Sequence, residues 1–164
     1  MRVFIVGFIE NVLSWVGLVY SKPQSRAAEY LSEYSQKYST IEIDSWFYKI
    51  PEPEQVADYL AQVPEDFRFT CKVPQELTLT HLRRSGGAST CVPNASFLSP
   101  ELFARFIEAV EPMLPKLDAL MFEFEYLGKD KMASLEAFLE KLDDFLAAAG
   151  ERARGLPFAI ETRN

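Results

Sequence analysis

The sequence predicts an α/β fold with parallel strands, arranged as an incomplete TIM-barrel-like domain of about five strands and four helices. Two observations lead to this prediction. Apolar residues recur alternately with a period of two, typical of strands, and with a period of 3.6, typical of helices. Charged residues also occupy one face of the predicted strands, which suits a barrel whose helices cover only the outer face.

Five short segments have the composition or alternation of strands. The first is a β-rich run that ends in Gly7, and the others alternate or are rich in β-branched and aromatic residues. The strands are predicted at residues 2–7, 40–44, 67–72, 119–125 and 156–162.

Four segments have helical spacing and lie between these strands. They are predicted at residues 25–38, 53–63, 100–114 and 132–149. Pro53 and Pro100 suit the first turn of a helix, and Ser99 is a good N-cap. Gly150 is expected to end the last helix. Strands that alternate with helices in this way pair in parallel through crossover connections.

The segment 73–99 has turn residues throughout and is predicted to be a loop of roughly 25 residues. Loops of this length inside a compact domain usually have a function or are mobile. No repeat or second domain is evident, so residues 1–164 form one predicted domain.

Composition excludes several functional classes. The chain is 48% apolar and 25% charged, which is typical of globular proteins. Its net charge of −7 disfavours nucleic-acid binding.

The apolar N-terminal segment carries Glu10 and Asn11 near its centre, which disfavours both a membrane span and a signal peptide. Two cysteines without metal-ligand spacing indicate a reducing compartment. We therefore expect a cytoplasmic protein with no membrane partner.

The alternation within the strands separates a barrel from a doubly wound sheet. One face is apolar throughout: Ile41, Ile43, Phe67, Phe69, Cys71, Leu120, Phe122, Phe124, Phe158 and Ile160. The other face carries five carboxylates and three cations: Glu42, Asp44, Glu123, Glu125, Glu161, Arg68, Lys72 and Arg163. A sheet with helices on both faces needs apolar residues on both, so the barrel is favoured.

Several motifs resemble those of the domain-of-unknown-function 72 family, also called YecE-like. Residues 42–48, with Pro51, are similar to its E-[VI]-[ND]-[ST]-x-F-Y-x-x-P signature. Residues 15–20, 64–74, 77–81, 121–126 and 159–164 are similar to further segments in the same order. The resemblance implies a TIM-barrel-like fold without an assigned activity. Since an eight-unit barrel needs about 250 residues, the chain is expected to be truncated at its C-terminus.

Polar residues at or after the predicted strand ends form the candidate site. Glu42, Lys72, His81 and Glu161 are the predicted catalytic residues, because carboxylates, a lysine and the single histidine of the chain can transfer protons. The predicted ligand-binding residues are Asp44, Ser45, Tyr48, Glu123 and Arg163. No metal site is predicted and the cofactor is unknown. An ion-pair lattice that only fills the barrel interior is the alternative interpretation.

Three functional hypotheses follow. The first is an enzyme that binds or transforms a small polar, phosphorylated or otherwise anionic ligand by acid–base chemistry, through hydrolysis or isomerisation. The second is a nucleic-acid-processing barrel of endonuclease type, by analogy of fold alone. The third is a non-catalytic truncated remnant that self-associates through an open sheet edge.

Overall fold

The structure is a computed structural model that describes residues 14–83 and 91–163. Within them, the strands are β1 (Thr40–Ile43), β2 (Arg68–Lys72), β3 (His81–Arg83), β4 (Cys91–Pro93), β5 (Leu117–Phe124) and β6 (Phe158–Thr162). The helices are α1 (Ala27–Tyr34), α2 (Pro53–Ala61), α3 (Pro100–Val110) and α4 (Leu135–Arg152). The strand predicted at residues 2–7 lies outside the described residues.

The main sheet has the order β1-β2-β5-β6, and all its neighbouring strands are parallel. A helix lies in each connection between successive strands of this sheet. The helices also contact one another in chain order, α1 with α2, α2 with α3, and α3 with α4. The predicted α/β fold with a parallel sheet is therefore confirmed. Over the described ranges the strand order is sequential and lacks the reversal of a doubly wound sheet.

One face of the sheet forms the core with the helices, as the alternation predicts, except that Ile160 near the end of β6 is exposed. Phe122 of β5 packs against Phe103 of α3 and Phe145 of α4, with ring centroids 6.0 Å and 5.6 Å apart. Phe69 and Cys71 of β2 are fully buried in the same cluster. Aromatic side chains contribute much of the buried apolar area in such a core.

The helix boundaries show which local signals determine them. The Ser99 hydroxyl accepts a hydrogen bond of 3.2 Å from the backbone N–H of Leu102, and α3 begins at Pro100 as predicted. Gly150, however, lies inside α4, so its predicted role as the helix end is wrong. The left-handed backbone that commonly follows a helix C-terminus occurs instead at Arg154 and Gly155, with φ of 52° and 81°.

The predicted loop 73–99 contains more regular structure than its turn residues indicate. Residues 75–77 form a 3₁₀ turn, and β3 pairs with β4 as an antiparallel hairpin. Strands of three residues are too short to show a period, which is why the sequence pattern misses them. The hairpin places His81 at the start of β3.

The fourth strand of the sheet has one neighbour among the described residues. On β6, Ile160, Glu161 and Thr162 are exposed, and Ile160 keeps 43% of its surface accessible.

Across the described ranges, no helix combines the length and apolarity that crossing a membrane requires.

Candidate functional site

Six of the predicted site residues meet at the carboxyl-terminal edge of the sheet. Asp44 follows the end of β1, Lys72 ends β2, and Arg163 follows the end of β6. Ion pairs join the group, hereafter the lysine cluster, which consists of Glu42, Asp44, Lys72, Glu123, Glu161 and Arg163. In parallel α/β proteins this edge is where ligands commonly bind.

Lys72 is the centre of the cluster. Its Nζ lies 2.8 Å from Oδ1 of Asp44, 2.8 Å from Oε2 of Glu123 and 3.7 Å from Oε1 of Glu42. The side chain is only 11% exposed. Nζ also lies 6.0 Å from the centroid of the Phe47 ring, at the outer limit of a cation–π contact. The ammonium group at the end of β2 thus holds together carboxylates from the two neighbouring strands, β1 and β5.

Arg163 extends the cluster toward solvent. One of its Nη atoms pairs with Oε1 of Glu123, and its Nε lies 3.9 Å from Oε1 of Glu161. Glu123 therefore bridges two cations through its two oxygens. The Arg163 and Glu161 side chains are 59% and 48% exposed, so they form the accessible rim of the cluster.

The surroundings of Glu42 raise the pKa of its carboxyl group into the neutral range. Burial, together with a hydrogen bond to Asp44 and the negative charge of Asp44, raises the pKa of Glu42 to about 7, although Lys72 acts in the opposite direction. A carboxyl group with such a pKa can both donate and accept a proton near neutral pH.

Lys72 experiences two opposing influences. Burial acts to lower its pKa, but its hydrogen bonds and attraction to Asp44 and Glu123 outweigh burial and raise the pKa above the ordinary lysine value. The side chain therefore stays an ammonium ion at neutral pH. This environment favours an electrostatic role for Lys72 over the role of base or nucleophile.

The two remaining predicted ligand-binding residues, Ser45 and Tyr48, lie beside Trp46 and apart from the ion pairs. Trp46 is buried and stacks on Tyr59 at 6.0 Å, which anchors the turn after β1. The Oγ of Ser45 is buried, and no described residue forms a hydrogen bond with it. Tyr48 is 64% exposed, and its ring packs perpendicular to the Phe47 ring with centroids 5.4 Å apart. A role for Ser45 and Tyr48 in ligand binding stays a prediction.

His81 belongs to a different group of side chains. Its Nδ1 lies 3.0 Å from the hydroxyl of Thr80, and that hydroxyl and the Thr80 backbone N–H each donate a 2.8 Å hydrogen bond to Glu125. Lys131 pairs with the other oxygen of Glu125. His81, Glu125 and Lys131 line a cleft of about 850 Å³, hereafter the histidine cleft.

The sequence pattern does not point to Thr80 or Lys131 as site residues, and it places Glu125 at a polar strand end without assigning it a role. Glu125 is predicted on the same face of its strand as Glu123, but its partners come from the loops after β2 and β5. Arg68, predicted on the polar face, lies 3.8 Å from Asp118 and hydrogen-bonds to the carbonyl of Pro115, before the carboxyl-terminal edge. It takes no part in the lysine cluster.

Across residues 14–83 and 91–163, no three His, Cys, Asp or Glu side chains are arranged to hold a metal ion. In the lysine cluster, the Lys72 ammonium occupies the space between the carboxylates that a cation would need.

Comparisons with known proteins give the following matches. A family model described as "Protein of unknown function DUF72" matches residues 11–164. Two crystal structures of a DUF72 family protein from Enterococcus faecalis are 28% identical to this chain. One has a TM-score of 0.61 over 98% of this chain and 50% of that one, and the other has 0.57 over 82% and 47%.

A DUF72 family protein from Thermotoga maritima is 20% identical, with a TM-score of 0.55 over 91% of this chain and 51% of that one, and is similar in fold. The chain thus spans about half the length of these solved structures. A comparison with curated proteins found no match.

Proposed function

This chain belongs to the DUF72 family, as its motifs predict, and from that premise we propose that it binds a small polar ligand at the lysine cluster and transforms it by acid–base chemistry. The observation that carries the proposal is the convergence of Glu42, Asp44 and Glu123 on one buried ammonium group at the carboxyl-terminal edge of a parallel sheet. Burying this many charges costs free energy, and an ion-pair lattice alone stabilises a fold little.

A TIM-barrel-like architecture is part of this proposal. The sequential strand order, the row of helices in mutual contact and the polar second face of the sheet all support it. In such a barrel the polar face lines the interior, and the lysine cluster lies at the rim where these folds bind their substrates.

Each member of the cluster has a distinct part in the proposed chemistry. Glu42 is the proton donor and acceptor, because its pKa of about 7 leaves both forms populated. Lys72 forms ion pairs with Asp44 and Glu123 and fixes the position of the Glu42 carboxyl. Arg163 is the most exposed cation of the cluster, so it is the group that donates hydrogen bonds to a hydroxyl or carbonyl oxygen of the ligand.

The charge balance of the cluster favours a neutral polar ligand over an anionic one. Four carboxylates face two cations, so a phosphate group has to compete with Glu123 and Glu161 for Arg163. A nucleic-acid backbone meets the same repulsion, together with the −7 net charge of the chain. The proposal is therefore a small-molecule site rather than a nucleic-acid site.

The test uses the full chain in D2O with a panel of small hydroxy-aldehydes, hydroxy-ketones, glycosides and phosphate esters, followed by NMR. Deuterium incorporation at carbon reports isomerisation chemistry, and new product signals report hydrolysis. We expect at least one compound to react, and Glu42→Gln to slow that reaction by about 10²–10⁴-fold.

The matched control is Glu140→Gln, which makes the same change at an exposed position of α4. It should react like the unmodified chain. A panel that remains unchanged, or a Glu42→Gln variant that reacts as fast as the control, contradicts the proposal.

A further inference from the structure

The histidine cleft contains a chain of hydrogen bonds in which the donors and acceptors determine where each proton lies. The chain runs from His81 through the Thr80 hydroxyl to Glu125, which also pairs with Lys131. Thr80 is buried and His81 is partly exposed, so the chain leads from the protein interior to the surface of the cleft. None of the ion pairs of the lysine cluster includes these residues.

Glu125 is the fixed acceptor at one end. Burial acts to raise its pKa, but the hydrogen bonds from Lys131 and from Thr80 outweigh burial and hold the pKa below its ordinary value. Its carboxylate is therefore ionised at neutral pH and has no proton to donate. The single hydroxyl proton of Thr80 must then lie in the 2.8 Å hydrogen bond to Oε1 of Glu125.

This assignment determines the tautomer of His81. With its proton directed at Glu125, the Thr80 oxygen can only accept in the 3.0 Å contact with Nδ1 of His81. Nδ1 must therefore carry the imidazole proton, which leaves a lone pair on Nε2 in the neutral ring. Glu125, acting through Thr80, thus determines which ring nitrogen of His81 is basic. A carboxylate that hydrogen-bonds to a catalytic histidine has the same effect.

We propose that His81 presents Nε2 in the histidine cleft as the hydrogen-bond acceptor for a neutral, hydroxyl-bearing small molecule, with Thr80 and Glu125 as positioning residues. The ligand chemistry follows from the lining. Among the described charged side chains of the cleft, the carboxylates of Glu76, Glu125 and Asp130 outnumber the ammonium group of Lys131, which favours a neutral ligand over an anion.

The lining also suits the carbon skeleton of such a ligand. Leu79 and Leu82 supply apolar surface beside the polar groups, a combination that accommodates both the C–H and O–H groups of a polyol or sugar. The inference concerns a second site and does not depend on acid–base chemistry at Glu42.

The first experiment observes the tautomer directly. His81 is the only histidine of the chain, so a long-range ¹H–¹⁵N NMR spectrum of the full-length protein above the imidazole pKa shows one unambiguous pair of ring nitrogens. We expect Nδ1 to be the protonated nitrogen. Thr80→Val should abolish this preference, and Thr162→Val, the same change on exposed β6, should leave it intact. A protonated Nε2 in the unmodified protein, or an unchanged tautomer in Thr80→Val, overturns the inference.

The second experiment identifies the ligand class with D-glucose, glycerol and inorganic phosphate as probes, each at about 50 mM, well above a Kd of about 1 mM for a weak ligand. We expect glucose or glycerol to shift the Nε2 signal, and the shift to be lost in Thr80→Val. A response to phosphate alone, or to none of the three probes, overturns the ligand assignment. Glu42→Gln should not change either result, which separates this site from the lysine cluster.

Discussion

Replacing Glu42 by glutamine isolates the cost of ionising a carboxyl group inside the lysine cluster. The pKa of Glu42 is raised from 4.5 to about 7 on folding. Between these two values the native state binds more protons than the unfolded state, so stability falls as pH rises through this range. The pKa difference of about 2.5, at about 1.36 kcal/mol for each pKa unit, corresponds to a loss of about 3 kcal/mol by pH 8. Glutamine resembles the protonated carboxyl group and cannot ionise.

The assay is urea denaturation at pH 5, 6, 7 and 8, followed by tryptophan fluorescence. We expect the two proteins to differ little at pH 5, and Glu42→Gln to become the more stable one by about 3 kcal/mol at pH 8. Glu140→Gln is the matched control and should follow the unmodified protein at every pH. Parallel stability curves for Glu42→Gln and the unmodified chain refute the reasoning, because they show that folding does not perturb Glu42.

Three further predictions concern the cluster, the core and the sheet edge. Lys72→Met leaves three carboxylates without their common cation and should destabilise the fold by about 3–5 kcal/mol at pH 7 in urea unfolding, whereas Lys141→Met on exposed α4 should not. Phe122→Ala removes a fully buried ring between α3 and α4 and should cost about 3–5 kcal/mol in the same assay. The β6 edge should support self-association, so light scattering should show a mass that rises with concentration and that Ile160→Lys lowers. A constant monomer mass contradicts this last prediction.

Much of the fold is predictable because its signals are local. The alternation in residues 40–44 and the helical spacing in residues 53–63 each depend on a short window of sequence, and both elements occur with small differences at their ends. The same holds for the cap at Ser99. Gly150 shows where local reasoning fails: glycine suits a helix end, yet α4 continues past it because Ala149 and Ala153 are buried in the core.

The candidate site is predictable in composition but not in pairing. The alternation of side chains along the strands is enough to place Glu42, Lys72 and Glu123 on one face of the sheet, where the structure brings them together. The same alternation groups Glu125 with Glu123, although Glu125 accepts a hydrogen bond from Thr80 and lies outside the lysine cluster. Which of two equivalent carboxylates meets Lys72 depends on the exact end of β5 and on the loops that pack above it.

The sequence by itself therefore determined the order of strands and helices, the apolar face that the helices cover, and the set of charges gathered on the other face. These features follow from periodicity, which each segment carries within itself. Only the tertiary structure decided that Asp44 and Glu123 share Lys72, and that His81 reaches Glu125 through Thr80. Such contacts join residues up to about fifty positions apart, and they depend on strand register and loop path, which leave no periodic trace in the chain.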